Sequence, residues 1–136
     1  VSRFEKPRFR EFVTALAGHE KDFFVQALSQ RLFGPDHEQG FTALVSMLAG
    51  YGAAKWPVVS AVPFYFAPNS EAFVKPTTAK RVIAFLEVEG LTYAPRPNWQ
   101  FYAGYRSVLD EVRERVAPSL AGNYATLSGF LMSTVP

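Results

Sequence analysis

The chain has no cysteine, which removes disulfides and thiolate metal sites from consideration and fits a reducing, cytoplasmic compartment. Histidine is nearly as scarce. His19 and His37 are not spaced four apart, so no helical metal face can be written from them, and no metal or other cofactor is expected. Charge of one sign is also lacking: 14 Lys and Arg against 12 Asp and Glu leave +2, too small a surplus to argue nucleic-acid binding by itself. Long apolar runs are missing as well. The stretch from Trp56 to Ser70 is nearly uncharged but is broken by Pro57, Pro63 and Pro68, and it falls short of the roughly 20 residues a bilayer span needs. No membrane partner is expected. No signal peptide is visible at the start. There is no G-x-S-x-G nucleophile turn, and "GYGAAK" lacks both the spacing and the hydroxyl of a phosphate loop.

What is present is apolar bulk. Hydrophobic residues make up 49% of the 136 positions and 13 are Phe, so cohesion must come from aromatic and aliphatic packing in one core. Residues 1–136 read as a single domain. The chain opens on Val1 and stops at Val135-Pro136 directly after an apolar segment, and a piece of a longer protein is the expectation.

The periodicity is helical almost throughout. Phe9, Phe12, Val13 and Leu16 share a face after Pro7. Phe24, Leu28 and Leu32 recur four apart before Gly34-Pro35, and Phe41, Leu44, Val45 and Leu48 follow "PDHEQG". "KWPVVSAVPFYF" is ambiguous between strand and helix; its Val58, Val59, Val62, Phe66 spacing favours a buried helix bent at Pro63. Pro76 or Thr77 opens a helix with Ala79, Val82, Ile83 and Leu86 inward, and "LTYAPRPNW" is extended because each pre-proline residue is driven from helical dihedrals. Asn98 caps a long helix carrying Tyr102, Tyr105, Leu109 and Val112, ended by Pro118, and a last helix spans Tyr124 to Leu131. The fold class is therefore all-α, an irregular domain of five to seven helices rather than a regular bundle. Phe23, Phe24, Phe41, Phe64, Phe66, Phe85 and Phe130 are assigned to the core.

The carboxylates Asp110, Glu111 and Glu114 alternate with Arg113 and Arg115, as on a solvated helix face where Glu111 and Arg115 can pair. His37 between Asp36 and Glu38 reads as a solvated turn. No catalytic residue is assigned. An enzyme would need a pocket gathering Glu71, Asp110 or a histidine beside cations, and the sequence does not assemble one.

Two helix starts carry the remaining chemistry. In "AFVKPTTAKR", Lys75 precedes Pro76, Thr77 can cap, and Lys80 and Arg81 emerge one turn later, an arrangement suited to an anion. "RPNWQFYAGYR" supplies Arg96, Asn98, Trp99, Tyr102 and Arg106, cations interleaved with flat rings of the kind that hold a phosphate while stacking a base. Side by side, the two would form one cationic, aromatic groove. Lys75, Thr77, Lys80, Arg81, Arg96, Asn98, Trp99 and Arg106 are thus the candidate ligand contacts. Nucleic acid or another anionic ligand is the expected partner, with a protein partner or a homodimer packing on exposed aromatics as the alternative.

The run "KWPVVSAVPFYFAPNSEAFVKPTTAKR" followed by "YAPRPNWQFYAGY" resembles a widespread family of uncharacterised bacterial proteins, a domain of unknown function. The shared elements are W-P-V/L, P-F-x-x-x-P, F-L/V-K-P-x-x-T/A-K-R and R-P-N-W-x-x-Y. Here they fall on Trp56, Pro57, Pro63, Phe64, Pro68, Phe73, Lys75, Pro76, Lys80, Arg81, Arg96, Pro97, Asn98, Trp99 and Tyr102. Members often carry His where Glu71 or Ala72 stands here. The resemblance, over residues 41 to 135, implies a helical domain; the family typically has an N-terminal extension, which this chain is expected to lack, and no activity is implied.

Overall fold

The computed structural model describes all 136 residues as seven α-helices, one short 3-10 turn and no strand. The helices are α1 (Glu5–Ala15), α2 (Gly18–Phe33), α3 (His37–Ala49), α4 (Trp56–Phe66), α5 (Pro76–Phe85), α6 (Trp99–Arg115) and α7 (Tyr124–Thr134), with the 3-10 turn over Pro118–Leu120. No helix is long and apolar enough to cross a membrane.

Three helices start where a short polar side chain takes an orphan backbone donor. Asp36 accepts from the Gln39 amide at 2.9 Å, Asn98 from Phe101 at 2.8 Å and Asn123 from Thr126 at 2.9 Å. α5 starts differently. Lys75 holds the cap position without a side-chain cap bond and Pro76 leads the first turn, so Thr77 does not cap. The ambiguous segment is helical, with Pro57 in its first turn and Pro63 inside.

One core of 20 buried residues draws on every helix but α2, whose Phe24 packs against it from the side. Its centre is aromatic. Phe41 lies 5.5 Å from Trp99, 5.7 Å from Tyr102 and 6.2 Å from Trp56, and Phe101 bridges Trp56 at 5.1 Å to Tyr105 at 5.8 Å. Of the phenylalanines assigned to the core, Phe41 is buried and Phe24, Phe64 and Phe130 are partly covered. Phe23, Phe66 and Phe85 are instead more than half exposed. Each sits beside the inner stripe of its helix, and hydrophobicity alone does not decide which side of a stripe is covered. Val13 is also exposed, at 41%, rather than on the covered face of α1.

The irregular segments are pinned by specific bonds. The Ser60 hydroxyl donates to the Trp56 carbonyl at 2.7 Å and accepts the Val74 amide at 3.0 Å, while the Trp56 indole donates to the Ala94 carbonyl at 2.7 Å. Both extended stretches are therefore fastened to α4. At the other end Tyr124 donates to Asp110 at 2.5 Å, joining α7 to α6, and the ion pair on α6 is Arg113–Asp110 at 3.6 Å rather than Glu111–Arg115.

α2 and α3 are the most intimate helix pair. Gly40 explains why: a Cβ there would stand 2.4 Å from the Arg31 backbone nitrogen and 2.7 Å from its Cα. Only hydrogen at that position lets the two backbones meet.

Candidate functional site

Arg31 points inward from α2 and is 1% exposed. Its terminal nitrogens donate to both oxygens of Glu71, at 2.9 and 2.7 Å, in a two-pronged ion pair. The Tyr102 hydroxyl donates to Glu71 Oε2 and accepts the Ala72 amide at 3.1 Å. The Arg31 guanidinium also lies over the rings of Trp99 at 5.5 Å and Tyr102 at 5.3 Å. His37, the first residue of α3, meets the Arg31 carbonyl with Nδ1 at 2.6 Å; because the carbonyl can only accept, Nδ1 carries the proton. His37 is therefore not a solvated turn. α2, the segment before α5, and α6 meet in this knot, and Arg31 Nε is the one buried side-chain nitrogen or oxygen left without a partner.

The electrostatics follow from the geometry. Burial pushes the Glu71 carboxyl up, but the hydrogen bonds from Arg31 and Tyr102, with the charges of Arg31 and Arg106, outweigh it and hold Glu71 below its ordinary 4.5. Burial likewise opposes the charge on Arg31, and Glu71 reverses that effect. Burial first, and then the Glu71 charge, push Tyr102 well above the phenol range. A depressed carboxyl stabilises the fold fully above its unfolded value, and that contribution drains away as pH falls through the lower folded value. The stabilisation is thus expected to be complete above about pH 4.5 and lost below it. A carbon-13 titration of the Glu71 carboxyl should show its midpoint under 4.5; a midpoint at or above that value contradicts the pairing.

Two clefts share Trp99, which is half-buried. One, of about 410 Å³, is lined by Arg96, Asn98 and Trp99 with Phe41 and Glu38 of α3. The other, of about 240 Å³, lies between Trp99 and the end of α4 and is lined by Glu71, Arg106, His37, Phe66 and Leu32. Arg106 is about one-third exposed, stands 3.9 Å from Glu71 and lies 5.7 Å from the Tyr102 ring.

The eight sequence candidates are divided by this arrangement. Arg96, Asn98, Trp99 and Arg106 gather around the indole, although Asn98 also serves as the α6 cap. Lys75, Thr77, Lys80 and Arg81 are exposed on α5 and its entrance and line none of the five principal clefts; Lys80 lies 4.7 Å over the Tyr93 ring. Sequence reasoning missed Arg31 and His37. A signal existed for the first: Phe24, Ala27, Leu28 and Arg31 repeat at helical spacing, and an arginine inside an apolar stripe implies a buried partner. No cluster of three or more metal-ligating side chains is present. Comparison with family models, curated proteins and solved structures returns no match for this chain.

Proposed function

We propose that the protein is a non-catalytic binding module for an anionic partner, a single-stranded nucleic acid being the class its surface chemistry suits best. One observation carries the reading: a partly buried indole, Trp99, borders both a cleft holding Arg96 and a cleft holding Arg106. A strand offers a phosphate to Arg96 and a base to the ring. Lys75, Thr77, Lys80 and Arg81 are exposed on α5 and its entrance and line neither cleft. Glu71 argues against catalysis, because a carboxylate held below its ordinary value by two arginines and a phenol is a poor base at neutral pH.

The test is fluorescence polarisation of a labelled single strand across a salt series. Log affinity should fall with log salt, and Arg96→Ala should reduce the slope by about 0.7, the value for one phosphate contact on single strands. Binding that ignores salt overturns the reading. A self-associating domain is the second reading, favoured by Phe33 and Phe66, which are 69% and 52% exposed and meet edge to face at 5.0 Å. Sedimentation that shifts with protein concentration but not with salt would favour it.

A further inference from the structure

Hydrogen-bonding capacity is left unused around the Arg31–Glu71 pair, and Glu71 lines the smaller cleft. Oε2 of Glu71 accepts from Arg31 and Tyr102, whereas Oε1 accepts from Arg31 alone, which leaves Oε1 room for one more donor. Arg106 stands 3.9 Å from Glu71 and makes no hydrogen bond, so its donors are uncommitted. His37 has Nδ1 engaged and Nε2 without a partner. Glu71, Arg106 and His37 line one cavity of about 240 Å³, and its other walls include the aromatic side chains of Trp99 and Phe66.

Charge restricts what can lie there. A phosphate or carboxylate drawn to Arg106 would also face the ionised Glu71, and an ammonium drawn to Glu71 would face Arg106 with Arg31 behind the carboxylate. A neutral edge avoids both repulsions if it offers one donor toward Oε1 and adjacent acceptors toward the arginine fork. The two rings select a planar group.

We propose that this cleft holds a single unstacked nucleobase with a cytosine-type edge. Its amino group donates to Glu71, and its ring nitrogen and carbonyl accept from Arg106. The inference rests on the nucleic-acid reading above and deepens it: the strand's phosphates lie on the Arg96 side of Trp99 and one base turns into the Glu71 side. Thymine places a carbonyl where the carboxylate needs a donor. Guanine offers two adjacent donors where Oε1 has room for one.

Polarisation measurements on the full chain with equal-length labelled dC, dT, dA, dG and abasic strands test this. The dC strand is expected to bind about tenfold tighter than the abasic strand, the lower part of what a two-pronged base contact confers, with the other bases between them. Arg106→Lys keeps the charge but loses the fork, and should erase the dC preference. Doubly methylating the cytosine amino group should erase it equally. Salt-dependent binding with no base preference, a preference for guanine, or a dC preference that survives Arg106→Lys would overturn the base pocket and leave the nucleic-acid reading standing. Failure of every strand, abasic included, would remove both.

Discussion

Arg31→Met is expected to destabilise the fold by about 3–5 kcal/mol, because it strands the Glu71 carboxylate in a nearly dry site. For a chain of this size the loss corresponds to a melting temperature lowered by roughly 10–15 °C. Methionine keeps an apolar stem of similar length but loses the guanidinium that lies over Trp99 and Tyr102, so the deficit reports the missing charge, its hydrogen bonds and its ring contacts more than a cavity. The double variant Arg31→Met/Glu71→Leu sharpens the claim. With no carboxylate left to strand, it should recover most of the loss, since replacing a whole buried pair by apolar groups is often close to neutral. Thermal melts of the single and double variants decide it. A double variant no more stable than Arg31→Met would mean that something other than the ion pair supports α2 at this point.

Gly40→Ala should cost about 3 kcal/mol, at the upper end for an overpacked core. The added carbon would fall 2.4 Å from one backbone atom of Arg31 and 2.9 Å from the Ala27 carbonyl oxygen, and backbone cannot rotate aside as a side chain can. α2 and α3 must part, and Arg31 moves with them. Gly129 is the contrasting position: it lies in α7 with nothing within 4 Å of an added carbon. Gly129→Ala should therefore stabilise the fold by about 0.5–1 kcal/mol through the ordinary helix preference for alanine. Urea midpoints moving in the same direction for both variants would contradict the close-approach argument.

The helices were largely legible because their signals are local. Asn98 with the long helix after it, Pro76 opening α5, and the apolar spacing of α3 each lie within a few residues, and the structure places an element at each. The 56–66 segment was harder, since its valines suit a strand and only the spacing of Val58, Val59, Val62 and Phe66 favours a helix. Arg96, Asn98 and Trp99 come together because they are neighbours in the chain. Arg31, Glu71 and Tyr102 meet across separations of 40 and 31 residues, and no local pattern encodes which buried arginine finds which carboxylate. His37 departs for a different reason: its partner is only six residues away, but the flanking acids suggest solvent, while the Arg31 carbonyl at the end of the preceding helix draws it inward.

The two indoles sit in opposite surroundings, Trp56 sealed at 1% exposure with its N–H on Ala94, and Trp99 beside both clefts. The chain thereby carries its own pair of optical reporters. A water-borne quencher should reach Trp99 more readily than Trp56 in the native protein and both after denaturation, so occupancy and unfolding become separable in the quenching of a single unlabelled sample.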